Sequence, residues 1–302
     1  MKRRTFIKST AWGVAGAGML PLSLNGINKV LAQDAYPHAV WVENGEPAAL
    51  LQTALKELGG LQRFISIDDV VVIKPNMGWD RAPEYAANTN PDLIAELVRA
   101  TFKAGAKDVK VFDRTCNNPL RCYRNSQIEE KAKAAGADVL HVRDNRYKKI
   151  AINGQDIAEW PIYKDYLDAD KVINVPVAKH HGLGGVTLGL KNLMGVMGDR
   201  RGQIHKNFAT KLIDIDSKIL PQLTIIDAYR ILLDNGPSGG DLDDVKLTKT
   251  LIASPCIVTA DYLGLSLFNH TLNDIDHVNE AVKRNLNQFD INKLNVKKVK
   301  LA

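Results

Sequence analysis

The chain has 302 residues, 45% of them hydrophobic and 25% charged, with a formal net charge of +6. That composition is ordinary for a globular protein and excludes a disordered or collagen-like chain. Residues 1–32 hold Lys2, Arg3, Arg4, Lys8 and Lys29 and no acid, so the remainder carries only +1. A basic patch for nucleic acid or an anionic membrane therefore loses its main support.

The N-terminus reads Lys2-Arg3-Arg4-Thr5-Phe6-Ile7-Lys8. An arginine pair followed by large apolar residues and a lysine is the twin-arginine export signature. The apolar stretch Ala11–Leu24 is interrupted by Gly13, Gly16, Gly18 and Pro21. A membrane span needs about 20 strongly apolar residues, so no stable membrane anchor is expected here. Val30-Leu31-Ala32 has the small-residue character of a cleavage site. Residues 1–32 thus read as a twin-arginine signal peptide, and 33–302 as a single domain. The twin-arginine translocase is the expected partner during export, and the location is periplasmic or otherwise extracytoplasmic.

Strand-like and helix-like segments then alternate. Val40–Val42 reads as a short strand, and Pro47–Leu58 as a helix stopped by Gly59-Gly60. Val70–Ile73 is a β-branched run of the kind buried in a parallel sheet. Asn90-Pro91 predicts the start of a helix through Phe102. Val109–Phe112 is a strand, Gln127–Ala135 a helix, and Val139–Val142 a strand. Lys148–Tyr166 breaks the rhythm and reads as a small inserted hairpin or lid. Lys171–Val175 and Leu223–Ile226 are strands, and Phe208–Leu220, Thr259–Phe268 and Ile275–Leu286 are helices. This order predicts an α/β fold, a mostly parallel sheet with helices on both faces.

The three cysteines, Cys116, Cys122 and Cys256, lack iron–sulfur or zinc spacing, which argues against an iron–sulfur cluster. Cys116 and Cys122 bracket a turn-rich loop. A local disulfide, two free thiols and a redox pair all remain open.

In a sheet of this kind ligands bind beyond the carboxyl ends of the strands. Those ends carry Lys74 and Asn76, Asp113, Lys179 and His181, and Asp227. The segment from His180 to Gly198 adds Thr187, Lys191 and Asn192 among closely spaced glycines, which let backbone approach a ligand. Thr187 is expected to cap a helix whose N-terminus attracts an anion. Of the adjacent histidines, His181 is favoured for the site, since neighbours in a regular element point apart. Lys74, Asn76, Lys179, Thr187 and Asn192 are the candidate binders of a small anionic ligand. His181, Lys191 and Asp227 are the catalytic candidates, with His181 as a possible general base. Asp113, His181 and Asp227 are candidate ligands for a divalent metal. The cofactor is otherwise undefined. A solvated loop holds Arg200–Lys206 equally well as a loop near an anion, and Asn235–Asp241 reads as a long turn, closing or connecting.

"VVIKPN", "VPVAKHHGLGGVTLGLKNLMG", "IIDAY…NGPSGG" and "SPCIVTADYLG" resemble successive landmarks of the domain-of-unknown-function 362 family. The resemblance runs from about Val70 to about Leu267. It implies an α/β fold and a site around the His-Gly…Thr…Lys-Asn block. Many members carry a ferredoxin-like module that is missing from this sequence, so no iron–sulfur assignment follows. An enzyme acting on an anionic substrate or cofactor, a non-catalytic binding or redox-accessory protein, and a cysteine redox protein are the competing functions.

Overall fold

In a computed structural model, residues 36–302 are described. The signal-peptide reading of residues 1–32 lies outside them. Twelve strands are seen among the described residues: β1 Ala39–Glu43, β2 Val70–Pro75, β3 Asp108–Val111, β4 Asp138–Val139, β5 Tyr147–Ala151, β6 Glu159–Tyr163, β7 Lys171–Val175, β8 Val177–His181, β9 Gly185–Thr187, β10 Leu223–Leu232, β11 Val245–Ser254 and β12 Val296–Lys300. The α-helices are α1 Pro47–Glu57, α2 Pro91–Lys103, α3 Pro119–Asn125, α4 Ile128–Ala134, α5 Lys164–Leu167, α6 Gly189–Asn192, α7 Phe208–Asp216, α8 Ile257–Gly264 and α9 Asp276–Lys283.

The main sheet runs β12-β1-β11-β10-β7-β2-β3-β4, with β8 beside β10 and β9 beside β8. The β10–β7–β2–β3–β4 half is parallel throughout. Antiparallel pairing enters where β11 lies between β1 and β10 and where β8 turns into β9. The mostly parallel α/β expectation therefore describes this fold.

Alternation along the strands divides the core in two. Val71, Ile73, Val109, Val111, Ile173, Val175 and Ile225 pack one face, beneath apolar residues of α1, α2 and α4. Val72, Val172, Ala178, Ile226 and Ile252 point the other way, toward α7, α8 and α9. A period of two in side-chain direction produces both layers from one β-branched sequence.

Local capping follows the sequence closely. The Asn90 side chain accepts from Asp92 N–H at 2.9 Å, with Pro91 at the first helical position. Asn118-Pro119 repeats that device: Asn118 accepts from Arg121 N–H at 3.2 Å and starts α3 where a loop was expected. The stretch expected at Lys148–Tyr166 as a hairpin or lid holds an antiparallel hairpin, β5–β6. It packs its Ile162 and Tyr163 into the second core and is not a lid. The Val139–Val142 strand shortens to two residues because only Asp138 and Val139 pair with β3. Strands β8, β9, β11 and β12 and helix α3 were not among the expected elements.

Candidate functional site

A cavity of about 380 Å³ opens at the carboxyl ends of β2, β3 and β8. Its lining includes Lys74, Asn76, Asp113, Lys179, His181, Thr187, Lys191 and Asn192. Eight of the nine residues expected at the site thus meet there.

The floor is a buried polar net. Lys74 Nζ lies 3.0 Å from Asp113 Oδ1, with both side chains almost fully enclosed. It also donates to Asn192 Oδ1 at 2.9 Å and to the Pro75 carbonyl at 2.7 Å. Asn76 Nδ2 donates to the same Asn192 oxygen at 3.1 Å, and Asn192 Nδ2 donates to Asn174 Oδ1 at 2.8 Å. Asp113 Oδ2 accepts from Met77 N–H at 2.7 Å. Burial holds the Lys74 ammonium below its usual range, against the opposing pull of Asp113. Gly195 closes over this pair. A Cβ there would stand 1.8 Å from Asp113 Oδ1 and 2.5 Å from Lys74 Nζ, so glycine is required by the close approach.

The walls are cationic. Strand β8 alternates, so Lys179 and His181 face the cavity while His180 turns toward Asp234, 3.9 Å away. Lys179 is 0% exposed and Lys191 7%. Among the described residues, neither forms an ion pair with a carboxylate. Lys179 Nζ donates to the Ala87 carbonyl and, at 3.3 Å, to Asn76 Oδ1, beneath the Trp79 ring. Lys191 Nζ has Met194 Sδ and His205 Nε2 each at 3.5 Å and the Phe208 ring at 5.2 Å. Burial pushes Lys179 down to about 7, a shift that neighbouring Lys191 reinforces. Burial pushes Lys191 down to about 8.

The two histidines take defined tautomers. His181 Nδ1 accepts from the Leu183 and Gly184 N–H groups at 3.1 and 3.2 Å. The neutral ring therefore carries its proton on Nε2. Burial first, then Lys191 and Lys179, push His181 down to about 2, so the ring is neutral. His205 Nδ1 lies 3.1 Å from the Gly202 carbonyl and must donate, which leaves Nε2 as an acceptor facing Lys191. His181, His205 and Phe208 form a stack with successive centroid separations of 5.8 and 5.1 Å.

Asp227 is elsewhere. Strand β10 does not end at Ile226 but continues to Leu232, which places Asp227 within it. Its carboxylate accepts from Asn90 N–H at 2.7 Å and Tyr229 N–H at 3.1 Å and is absent from the cavity lining. Asp227 ties β10 to the start of α2, and the catalytic and metal roles expected of it are withdrawn. The metal set Asp113, His181 and Asp227 is not assembled. Among the described residues, no group of three His, Cys, Asp or Glu side chains is placed to hold a metal ion.

Thr187 also departs from expectation. It belongs to β9 and makes no cap, since Leu188 precedes α6 without a side-chain bond. The N–H groups of Gly189 and Leu190 instead donate to Asp261 at 2.6 and 2.9 Å. The anion at that helix start is a side chain of the protein itself, and the ligand's counter-charges must be the lysines.

Several lining residues had only faint signals in the sequence. Arg201 holds the Arg114 and Thr115 carbonyls at 2.7 and 2.9 Å and reaches Cys116 Sγ at 3.1 Å. It shares the basic stretch with His205, whose loop turns out to line the cavity rather than lie free. Gly236 and Pro237 of the long turn complete the rim. Cys116, Cys122 and Cys256 are all free thiols.

Known proteins similar to this chain include one curated relative and one solved structure. A thylakoid-associated protein of Synechocystis sp. is 29% identical over 229 residues, covering 73% of this chain and 70% of that protein. The lactate racemase apoprotein from Thermoanaerobacterium thermosaccharolyticum superposes with a TM-score of 0.50 at 13% identity. That overlap covers 80% of this chain but spans 58% of the racemase chain, and it is a likeness of fold. Residues 71–266, which contain every cavity-facing lysine and all of the parallel half of the sheet but Val70, match the family described as Domain of unknown function (DUF362), and the chain belongs to that family.

Proposed function

We propose that this protein is an enzyme acting on a small organic or phosphorylated anion, bound in the cavity by Lys179 and Lys191. One observation carries the reading: two buried lysines face a single cavity with no carboxylate paired to either among the described residues. A buried ammonium without a counter-ion costs several kcal/mol, and a bound anion removes that cost. His181 Nε2–H offers a further donor to the same ligand, and Arg201, whose terminal nitrogens are held by the Arg114, Met194 and Thr115 carbonyls and Cys116, adds positive charge at the lining. Amines tuned toward neutrality beside neutral imidazoles are suited to proton transfer. The donor set, rich in cations and amides, does not suit a metal ion.

The pH dependence is the test. An anion favours the ammonium forms, so binding takes up protons wherever the empty cavity holds neutral amines. With Lys179 at about 7 and Lys191 at about 8, affinity for lactate, a monoanion throughout this range, should be level in mildly acidic buffer. It should then fall as pH rises through that interval, by about tenfold per pH unit for each proton coupled. Calorimetry in buffers of different ionisation enthalpy reads both the affinity and the proton uptake. Lactate binding that strengthens with pH would sink the proposal. Turnover of the bound compound, followed by NMR, separates an enzyme from a binding protein that releases its ligand unchanged.

We also propose export through the twin-arginine pathway to an extracytoplasmic site, supported by Arg3-Arg4 and the apolar stretch behind them. Replacing Arg3 and Arg4 by lysine should retain the protein inside the cell at its uncleaved mass. Normal export of that double variant would refute the assignment. Among the described residues no helix is long and apolar enough to cross a membrane.

A further inference from the structure

The three cavity lysines are not equivalent. Lys74 spends its donors on Asp113, Asn192 and the Pro75 carbonyl. Lys179 is held by the Ala87 carbonyl and Asn76. Lys191 alone has soft partners: a thioether, an aromatic face and the unprotonated Nε2 of His205. An amine so placed can shed a proton to the imidazole and turn its lone pair into the cavity. Burial supports this by favouring the neutral amine.

We propose that Lys191 forms an imine with a small carbonyl compound bearing an anionic group, of which a 2-oxo carboxylate is the simplest. This rests on the anion reading of the same cavity. Lys179 and Arg201 would hold the anionic group, and His181 Nε2–H would donate to the carbonyl oxygen. His205 Nε2 takes a proton from the Lys191 ammonium, and the freed Nζ attacks the carbonyl carbon. The C–N bond forms as the carbonyl π pair moves to oxygen, which receives a proton from His181 and is left as the hydroxyl of a carbinolamine. The nitrogen first gives one proton back to His181, and a second proton, returned through His205, then lets that hydroxyl leave as water while the freed nitrogen lone pair forms C=N. The ammonium and carbonyl compound become a protonated imine and one water, with His181 regaining its proton from the nitrogen and no change in oxidation state. The arrangement of one acceptor and one donor imidazole on opposite tautomers is what this sequence needs.

The experiment is reductive trapping on the full-length protein. Pyruvate with sodium cyanoborohydride should add a single reduced pyruvyl group by intact mass, mapped to Lys191 by peptide sequencing. Lys191→Arg, which keeps the charge but cannot form the imine, should lose the adduct. A phosphate-bearing aldehyde, glyceraldehyde 3-phosphate, run in parallel, distinguishes a carboxylate from a phosphate preference; trapping of either compound at Lys191 supports the proposal. Adducts spread over surface lysines, placed on Lys179, or undiminished in Lys191→Arg would overturn it. Lactate, which has the carboxylate but no carbonyl, separates the two readings. If lactate raises the melting temperature and neither carbonyl compound is trapped, the imine falls and the anion site stands. If lactate, pyruvate and phosphate all leave melting unchanged and no adduct forms, both fall.

Discussion

Lys74→Met is expected to destabilise the protein by about 3–5 kcal/mol, the cost of leaving a buried carboxylate without its partner. Asp113 would keep only the Met77 N–H at 2.7 Å on one oxygen, and its other oxygen would face an apolar side chain. Asn192 and the Pro75 carbonyl would lose a donor as well. For a domain of this size each kcal/mol is worth about 2–4 °C in melting temperature, so the shift is easily measured by calorimetry or urea titration. Desolvation outweighs the Coulombic gain at Lys74, whose ammonium is held below its usual range despite the aspartate. The pair is therefore not a large net stabiliser, and removing both charges should be milder than removing one. Lys74→Met with Asp113→Asn keeps an acceptor for Met77 N–H and should recover most of the loss. Gly195→Ala should resemble the single change, because its methyl would occupy the space between the two charges. A Lys74→Met variant as stable as the parent would show that the ion pair does not organise the site.

The opposite sign is expected at Lys179. Burying an ammonium whose pKa falls from 10.5 to about 7 costs roughly 4 kcal/mol near neutral pH. Lys179→Met removes that cost but strips a donor from the Ala87 carbonyl, worth about 1–3 kcal/mol in return. The net is a ligand-free protein more stable by about 2 kcal/mol, with anion binding abolished. The gain has a pH signature. A depressed lysine contributes stability that is present above about 10.5 and lost as pH falls through 7, so the advantage of the variant should be greatest at or below pH 7 and vanish in alkali. Asp227 and Asp261, raised by burial to about 6 and about 7, tilt stability the other way. Their contribution is present in acid and lost as pH rises through those values. Both proteins share that acidic slope, so the difference between them isolates Lys179. A destabilised Lys179→Met protein that still binds phosphate would contradict the assignment of this lysine as the anion's counter-charge.

Local features carried most of the layers. The run Val70–Ile73 reads as a buried parallel strand because β-branched residues without polar alternation need cover on both faces, and β2 lies between β3 and β7. Asn90-Pro91 marks a helix start by a bond that spans two residues. The same local device at Asn118-Pro119 was legible but masked by its cysteine neighbours. Strands β8 and β9 escaped because Lys179-His180-His181-Gly182 looks like a polar loop; their alternation shows only once one face is known to line a cavity.

By itself the sequence determined the kind of fold, the segment that builds the site and its positive charge, because β-branched runs, caps and side-chain chemistry act over a few residues. Only the tertiary structure decided which of those residues meet. Asp227 left the site because β10 continues past Ile226 to pair first with β7 and then with β8, and a strand's end is set by its neighbours. Asp261, more than seventy residues from Gly189 in the chain, supplies the anion at the start of α6. The same folding brings Lys179 and Lys191 to one cavity without a carboxylate between them, and that pairing carries the proposed chemistry.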